Sequence, residues 1–369
     1  MSVPAIINNE VSHNSGLQSS FFIYIKLDAT YYIAGEKLTG EILLNLPEKS
    51  SPSKIQLNAT GLELAKITKS NGQVSESKND VFHMTTTLVQ WDNYSPSGQF
   101  VFPFSFKLPH YAPSSFDFDD TNSDGHRIQA KIEYKIEASF EMEGQKSLTD
   151  QRIMTIFNRN TRVSRQYSVN STKPLVSCFC IKRGASAINL CYQGTDHSQI
   201  GKTSKFRLGI DHKSTQAPII SIVGQLLFEL TVQIPGDKTY NYTSLVCRNA
   251  PNLHSLPHID STPKEMEYEA NLANLEFGNN VSTNETGLIQ AMYKAQVFVL
   301  YDVGCRTKRS EASLTVHVNP KVIEERKIEL PTSWEPKESS ISNLILEACN
   351  GLPIGSAQQN SCMPKHPMN

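Results

Sequence analysis

Four phenylalanines on alternate positions constrain the fold of this chain more than any other feature. Within the stretch from Gly98 to Phe116 they are Phe100, Phe102, Phe104 and Phe106. In an extended chain, alternate side chains project from the same face, whereas a helix would distribute the four rings around its axis. Pro103 interrupts the run and has no amide hydrogen for a sheet ladder, which is typical of an edge strand or a bulge. The stretch therefore predicts a strand with one aromatic face at the edge of a sheet.

Further short segments along the chain have the same two-residue alternation of apolar and polar side chains. It predicts strands over residues 21–27, 39–46, 54–64, 81–91, 127–142, 176–181, 200–210, 219–232, 287–301 and 312–318, with a polar loop over 68–80. Many short strands joined by turn-rich loops, with hardly any helical periodicity, are typical of all-β sandwiches. We therefore expect an all-β fold.

The length of the chain and one basic stretch predict two domains. A chain of 369 residues is long enough for two ordinary domains. Between the two sets of strands, residues 158–173 are polar and basic, as is common in linkers, and carry Arg159, Arg162, Arg165 and Lys173. The predicted organisation is a flexible N-terminus over 1–19, a sandwich over 20–157, a linker over 158–173, a second sandwich over 174–320 and a flexible tail over 321–369.

The composition favours a cytoplasmic protein. Hydrophobic residues make up 38% of the chain and charged residues 19%, which is a globular composition. A net charge of −1 produces no global attraction to nucleic acid or to an anionic membrane. We find neither a long apolar run nor a signal-like start, so we expect peripheral membrane association at most. The seven cysteines are irregularly spaced, which indicates reduced thiols.

Catalysis, a cofactor and a metal are not indicated by any residue pattern, so we expect a protein that is not an enzyme. His254 and His258 have the spacing of zinc ligands, but Pro257 would break a helix there, and we interpret both as loop histidines. Cys178 and Cys180 lack the second pair that a structural zinc needs. We interpret them as core residues on one face of the strand over 176–181.

An acidic run over residues 117–120, together with Asp124, is the remaining candidate for cation binding. Carboxylates suit calcium, but the run lacks the twelve-residue loop pattern with a terminal glutamate. We interpret it as a solvated loop.

Two motifs resemble hallmarks of the arrestin family. The first is the aromatic strand itself, which reads Phe-Pro-Phe-Ser-Phe over 102–106 and is followed by Leu-Pro and by Pro-x-Ser-Phe. The second is the Gly-Glu strand signature near the amino end, within residues 32–42. The resemblance covers roughly residues 20–320. It is closer to the α-arrestin (arrestin-domain-containing) branch than to the visual and β-arrestins. It implies two tandem immunoglobulin-like β-sandwich domains.

The resemblance also implies a function without chemistry. Arrestin-like proteins are adaptors that bind cytoplasmic regions of membrane receptors or transporters and link them to endocytic coats or to ubiquitin ligases. Many α-arrestins recruit ligases through Pro-Pro-x-Tyr motifs read by WW domains. This chain contains no Pro-Pro pair, so direct WW-domain binding is not implied. The expected location is the cytoplasm, with transient stays at the plasma membrane or endosomes.

The residues themselves offer two modes of recognition. An extended peptide can add to the sheet edge that Pro103 indicates. Alternatively, Arg159, Arg162, Arg165 and Lys173 can pair with acidic or phosphorylated tails, or they are solvated linker charges. In the tail, the partner-binding candidates are Leu344, Ile345, Leu346 and Glu347, which resemble a truncated clathrin box of β-arrestins.

Two other functions stay open. An arrestin-like sorting subunit of a retromer-type endosomal coat would have the same fold. A secreted β-sandwich binding module would instead use the Asn-x-Ser/Thr sites at Asn58, Asn93, Asn170, Asn241, Asn280 and Asn284.

Overall fold

The structure is a computed structural model of the chain. It describes residues 21–49, 51–144, 147–159, 168–177, 180–193, 198–211, 217–250, 264–272, 275–304, 306–324, 327, 330, 333–339 and 342–344. In these residues the secondary structure is almost entirely β, which confirms the predicted all-β class. In the described part of the chain, no helix is long and apolar enough to cross a membrane.

Ten strands of the described residues form the first sandwich. In chain order they are β1 (Phe22–Leu27), β2 (Tyr32–Ile33), β3 (Lys37–Leu46), β4 (Ser53–Thr68), β5 (Val74–Trp91), β6 (Gly98–Lys107), β7 (Phe116–Thr121), β8 (Arg127–Met142), β9 (Leu148–Met154) and β10 (Ile156–Phe157). One sheet has the order β1-β3-β6, and the facing sheet has the order β5-β4-β8-β7, with β9 also on β8. β2 and β10 form a separate parallel pair.

In the second sandwich, eleven strands lie within the described part of the chain. They are β11 (Ser168–Val176), β12 (Lys182–Tyr192), β13 (Ser198–Gln199), β14 (Thr203–Asp211), β15 (Ile219–Gln233), β16 (Thr239–Asn249), β17 (Lys264–Asn271), β18 (Asn284–Glu285), β19 (Ile289–Asp302), β20 (Thr307–Val316) and β21 (Val318–Asn319). The sheet β11-β12-β14-β17 faces the sheet β16-β15-β19-β18, in which β20 also pairs with β19. Two further strands, β22 (Lys337–Glu338) and β23 (Ser342–Leu344), follow in the tail.

The aromatic strand lies where the alternation predicts it. Phe100, Phe102, Phe104 and Phe106 are all buried on the inner face of β6. Trp91 of the facing sheet contacts two of these rings, with centroid distances of 6.3 Å to Phe100 and 6.4 Å to Phe102. The four rings thus join the two sheets of the first sandwich, because aromatic side chains bury a large apolar area.

Two local predictions are wrong. The polar loop expected over 68–80 is a loop only to residue 73, since β5 begins at Val74 and pairs in register with β4. The strand expected over 176–181 ends at Val176, and the chain reverses so that the Ser177 amide donates to the Ile181 carbonyl. Cys180 lies in this reversal with a φ of 59° and is exposed, so it is not a core residue. Cys178 is outside the described residues.

The junction between the two sandwiches is built on β7. The Asp117 amide donates to the Asn280 carbonyl at 2.9 Å, which makes an antiparallel bridge between the two sandwiches. Phe118 is buried in an aromatic cluster of the second sandwich, 4.8 Å from Tyr242 and 6.0 Å from Phe228. The acidic run over 117–120 is therefore an interface strand and not the solvated loop expected from its charge.

A candidate strand-docking edge and the domain junction

The outer edge of β6 is occupied by the chain's own C-terminal segment. β22 and β23 both pair with β6 in parallel, with Glu338 opposite Val101 and Leu344 opposite Phe106. The Ser339 amide donates to the Val101 carbonyl at 3.1 Å. The prediction of a flexible tail over 321–369 thus does not hold for residues 337–338 and 342–344, because an open sheet edge satisfies the backbone groups of the tail.

Pro103 explains why this pairing is interrupted. Alternate residues of a strand turn their backbone groups to the same edge, so Pro103 is turned to the tail like Val101, whose carbonyl accepts from Ser339. Without an amide hydrogen, Pro103 cannot donate to the tail. The two tail strands accordingly pair with residues on either side of it. Of the two predicted placements, a sheet edge or a bulge, the edge fits: β6 is the outermost strand of its sheet within the first sandwich, and the tail then covers it on both sides of Pro103.

A small apolar cluster on the outer face of the same sheet receives a tail side chain. Tyr24, Leu43 and Val101 are buried there, although they point away from the main core. Trp334 covers them and stacks on Phe22 with ring centroids 5.7 Å apart. One aromatic anchor beside a run of main-chain hydrogen bonds is the usual form of peptide recognition by strand addition.

The opposite edge of this sheet, on β1, is closed by side chains. The Ile25 amide donates to the Asp150 carboxylate at 2.8 Å, and Arg152 Nε donates to the Ile25 carbonyl at 3.0 Å. The Arg152 guanidinium also pairs with Asp150 at 3.0 Å and lies 4.2 Å above the Tyr24 ring. Since these side chains take the place of a neighbouring strand, the β6 edge is the one that carries the docked peptide segment.

The predicted cationic residues are only partly described. Arg159 is exposed, and its Nη1 lies 2.7 Å from Nδ1 of His110 in the loop after β6. Lys173 is exposed on β11 of the second sandwich, so the predicted linker over 158–173 is wrong from residue 168 onward, where the backbone pairs with β12. Arg162 and Arg165 lie outside the described residues.

The predicted tail motif is also described only at its start. Leu344 lies on β23, opposite Phe106. Ile345, Leu346 and Glu347 are outside the described residues, as are His254 and His258. Among the residues that are described, no three His, Cys, Asp or Glu side chains are grouped as a metal site would require.

A polar cluster around Asp237 joins the two sandwiches at the far end of the junction. Asp237 Oδ2 in the β15–β16 turn accepts from Ser75 Oγ at 2.7 Å and lies 3.0 Å from Lys69 Nζ. Tyr240 Oη adds a contact at 3.2 Å. These bonds stabilise the ionised carboxylate, Ser75 first, and hold the pKa of Asp237 well below its usual range.

A second polar contact crosses the junction beside Phe118. The Tyr242 hydroxyl donates to the Asp120 carboxylate at 2.6 Å. Burial, followed by the hydrogen bond to Asp120, raises the pKa of Tyr242 to about 12. The Asp119 carboxylate instead forms a bidentate pair with Arg127 at 2.6 and 2.7 Å, while the Asp119 amide donates to the Phe277 carbonyl across the junction at 3.3 Å. The carboxylates of the acidic run therefore face different partners: Asp120 faces the junction, and Asp119 pairs with Arg127 within the β7–β8 hairpin. They are not grouped as a calcium site would require.

Sequence reasoning did not find Trp334, Asp150 or Asp237. The signal for Trp334 was available, since a single tryptophan in a polar tail is a candidate anchor. Asp150 and Asp237 carried no such signal, because each is defined by partners more than a hundred residues away in the chain.

The comparisons with known proteins agree with this architecture. Residues 21–170, about two fifths of the chain, match the sequence model of the family described as arrestin (or S-antigen), N-terminal domain. No curated protein matches the chain. Over the matched residues the chain is therefore similar to the arrestin N-terminal domain.

Proposed function

We propose that the protein is a non-enzymatic adaptor of the cytoplasm. In this proposal it binds cytoplasmic regions of membrane receptors or transporters and links them to endocytic or ubiquitin-dependent trafficking, with transient stays at the plasma membrane or endosomes. The similarity to the arrestin N-terminal domain supports an adaptor in general terms. The observation that carries the proposal is the β6 edge, which holds an extended segment by main-chain pairing.

The same edge is the proposed cargo site. An extended cargo peptide with an aromatic residue would pair with β6 and place its ring on the cluster of Phe22, Tyr24, Leu43 and Val101, where Trp334 lies now. Cargo and tail would then compete, and the tail would lower the apparent affinity by the fraction of molecules in which the edge is occupied.

The cations and the tail motif complete the proposal. Arg159, Arg162, Arg165 and Lys173 would pair with acidic or phosphorylated positions of the cargo. Leu344, Ile345, Leu346 and Glu347 would recruit coat components. Because Leu344 lies on β23, cargo binding at the edge would release the start of this motif and couple the two events.

The test is affinity capture from detergent-solubilised membranes with three baits: the full chain, the full chain with Trp334→Ala, and residues 1–320. Multispanning membrane proteins should be captured by the full chain and in larger amounts by Trp334→Ala, which weakens the docked tail. Coat components should be lost with residues 1–320, while the cargo is retained. Failure of every bait to capture membrane proteins would contradict the adaptor proposal.

Two outcomes would favour the other functions. Capture of one fixed soluble complex with large helical-repeat proteins would indicate a subunit of a retromer-type coat. Glycosylation of the natural protein would indicate a secreted module. Against the second, Asn284 is only 4% exposed, and its side-chain oxygen accepts from the Ser114 amide at 2.8 Å, so a glycan there would disrupt the junction.

A further inference from the structure

A cavity of about 900 Å³ lies between the two sandwiches. Ligand pockets typically measure roughly 300–1,000 Å³ and occur preferentially at domain interfaces. The cavity shares none of its lining with the β6 edge, so it is distinct from the proposed cargo site.

Three parts of the chain form most of its walls, and Ile153 and Met154 of β9, Ile200 and Leu272 complete the lining. β7 and β8 contribute Asp117, Lys131 and Glu133, and the segment before β18 contributes Leu275, Glu276, Gly278, Asn279 and Asn280. The third wall is residues 321–324, which follow the second sandwich. The Lys321 amide donates to Asn280 Oδ1 at 2.8 Å, so the second and third walls are joined by a direct hydrogen bond.

A close backbone approach holds the first two walls together. A Cβ at Gly278 would lie 2.6 Å from the Asp117 carbonyl oxygen and 2.7 Å from Val281 Cγ1. Only glycine allows this distance, since real Cβ atoms are not found so close to a backbone oxygen. Together with the bridge from Asp117 to Asn280, it gives the cavity a preformed shape.

The lining combines exposed apolar side chains with an excess of carboxylates. Ile153 is 49% exposed and Ile323 is 45% exposed, and both line the cavity. Asp117, Glu133, Glu276 and Glu324 outnumber Lys131 and Lys321. Lys131 already pairs with Glu133 at 2.5 Å, which leaves the other carboxylates in excess over Lys321.

Asp117 is a partly buried carboxylate of this lining. Its burial raises its pKa above the ordinary value, in spite of the nearby Lys131 and an Asn279 hydrogen bond. A positive charge brought into the cavity would favour the ionised carboxylate and offset this desolvation.

We propose that this cavity binds a small organic cation with an apolar body. The apolar body lies along Ile153, Ile323 and Leu275, and the ammonium group faces Asp117. Since such a ligand touches both sandwiches and residues 321–324, it also stabilises their arrangement.

The test uses three probes that share an apolar body and differ in charge: 4-phenylbutylamine, 4-phenylbutanol and 4-phenylbutanoate. Binding to the full chain is measured by ligand-observed NMR titration, and the melting temperature is recorded at saturating probe. The amine should bind saturably and at least about tenfold more tightly than the alcohol, as one desolvated charge pair would give. The carboxylate should bind most weakly. At the concentration that saturates with the amine, the amine should raise the melting temperature most, because the shift follows the probe concentration relative to Kd.

Variants locate the site. Asp117→Asn should reduce the amine affinity about tenfold and leave the alcohol affinity unchanged. Ile153→Gln should weaken both the amine and the alcohol. Glu137→Gln is the matched control, because Glu137 lies on the same strand as Glu133 but outside the cavity, and it should change neither.

Three results would overturn the proposal. They are equal affinity for all three probes, tightest binding of the carboxylate, and an amine affinity that Asp117→Asn leaves unchanged in a folded protein. None of them bears on cargo capture at the β6 edge, so this proposal and the adaptor function fail independently.

Discussion

Phe118 is the single residue on which the junction depends most. Its ring is 1% exposed and lies among Phe228, Tyr242 and Phe277 of the second sandwich. We expect Phe118→Ala to lower the free energy of unfolding by about 3–5 kcal/mol, through lost burial and the cavity left behind. Urea denaturation measures this. Tyr94→Ala is the control, since Tyr94 is 70% exposed and should cost less than about 0.5 kcal/mol. Equal effects of the two variants would contradict the assignment.

Gly61 shows how tightly the core of the first sandwich is packed at a single position. A Cβ there would lie 2.7 Å from ring carbons of Tyr134 and 3.0 Å from Phe82. Both rings are fully buried and cannot move aside freely. We expect Gly61→Ala to lower the melting temperature, with a cost of about 1–3 kcal/mol. Gly209→Ala is the matched control on a strand, because a Cβ there would lie 3.6 Å from its nearest neighbour, which is an ordinary contact distance. A larger loss of stability in Gly209→Ala than in Gly61→Ala would refute the packing argument.

At the scale of elements, the docked tail is the feature to test. Trp334→Ala removes the stack on Phe22 and uncovers Val101 and Leu43. The Ser339 amide, which donates to the Val101 carbonyl, should then exchange with deuterium about tenfold faster or more. The melting temperature should change little, because the main core lies on the other face of the sheet. Tyr111→Ala, at a residue 54% exposed in the loop after β6, should leave the exchange unchanged. Unchanged exchange in Trp334→Ala would mean that the ring does not hold the tail.

For the whole molecule, the Asp237 cluster between the two sandwiches predicts that the stability of the fold depends on pH. The folded pKa of Asp237 lies below its unfolded value, so the ionised carboxylate stabilises the fold at neutral pH. This stabilisation is complete above an unfolded pKa of about 4 and is lost as the pH falls toward the folded pKa. We therefore expect Asp237→Asn to lower the melting temperature at pH 7, by an amount that shrinks below about pH 4.

Thermal unfolding of the two proteins between pH 3 and pH 7 measures the difference. Asp28→Asn, at an exposed position in the loop after β1, is the control and should show no such trend. A difference for Asp237→Asn that stays constant with pH would indicate that the cluster acts through packing and not through the charge.

The two-residue alternation of apolar and polar side chains predicted much of the fold, because the alternation within one strand can be read from a short segment of the chain. The strand over 127–142 was predicted with the bounds that β8 has, and the inward rings of β6 followed from their two-residue spacing. Polar strands escaped prediction. β5 begins at Val74, since its first residues find their partners across the sheet and not in their own composition.

The sequence by itself determined the all-β class, the aromatic face of β6 and the edge position of Pro103. Each follows from bond geometry that one short segment carries within itself. Only the tertiary structure decided that the tail occupies the β6 edge, that Phe118 enters the second sandwich and that a charged cavity lies between the two. Each of these features brings together residues that are far apart in the chain. Which residues meet depends on the burial of side chains and on the backbone hydrogen-bonding groups that the assembled sheets leave unpaired.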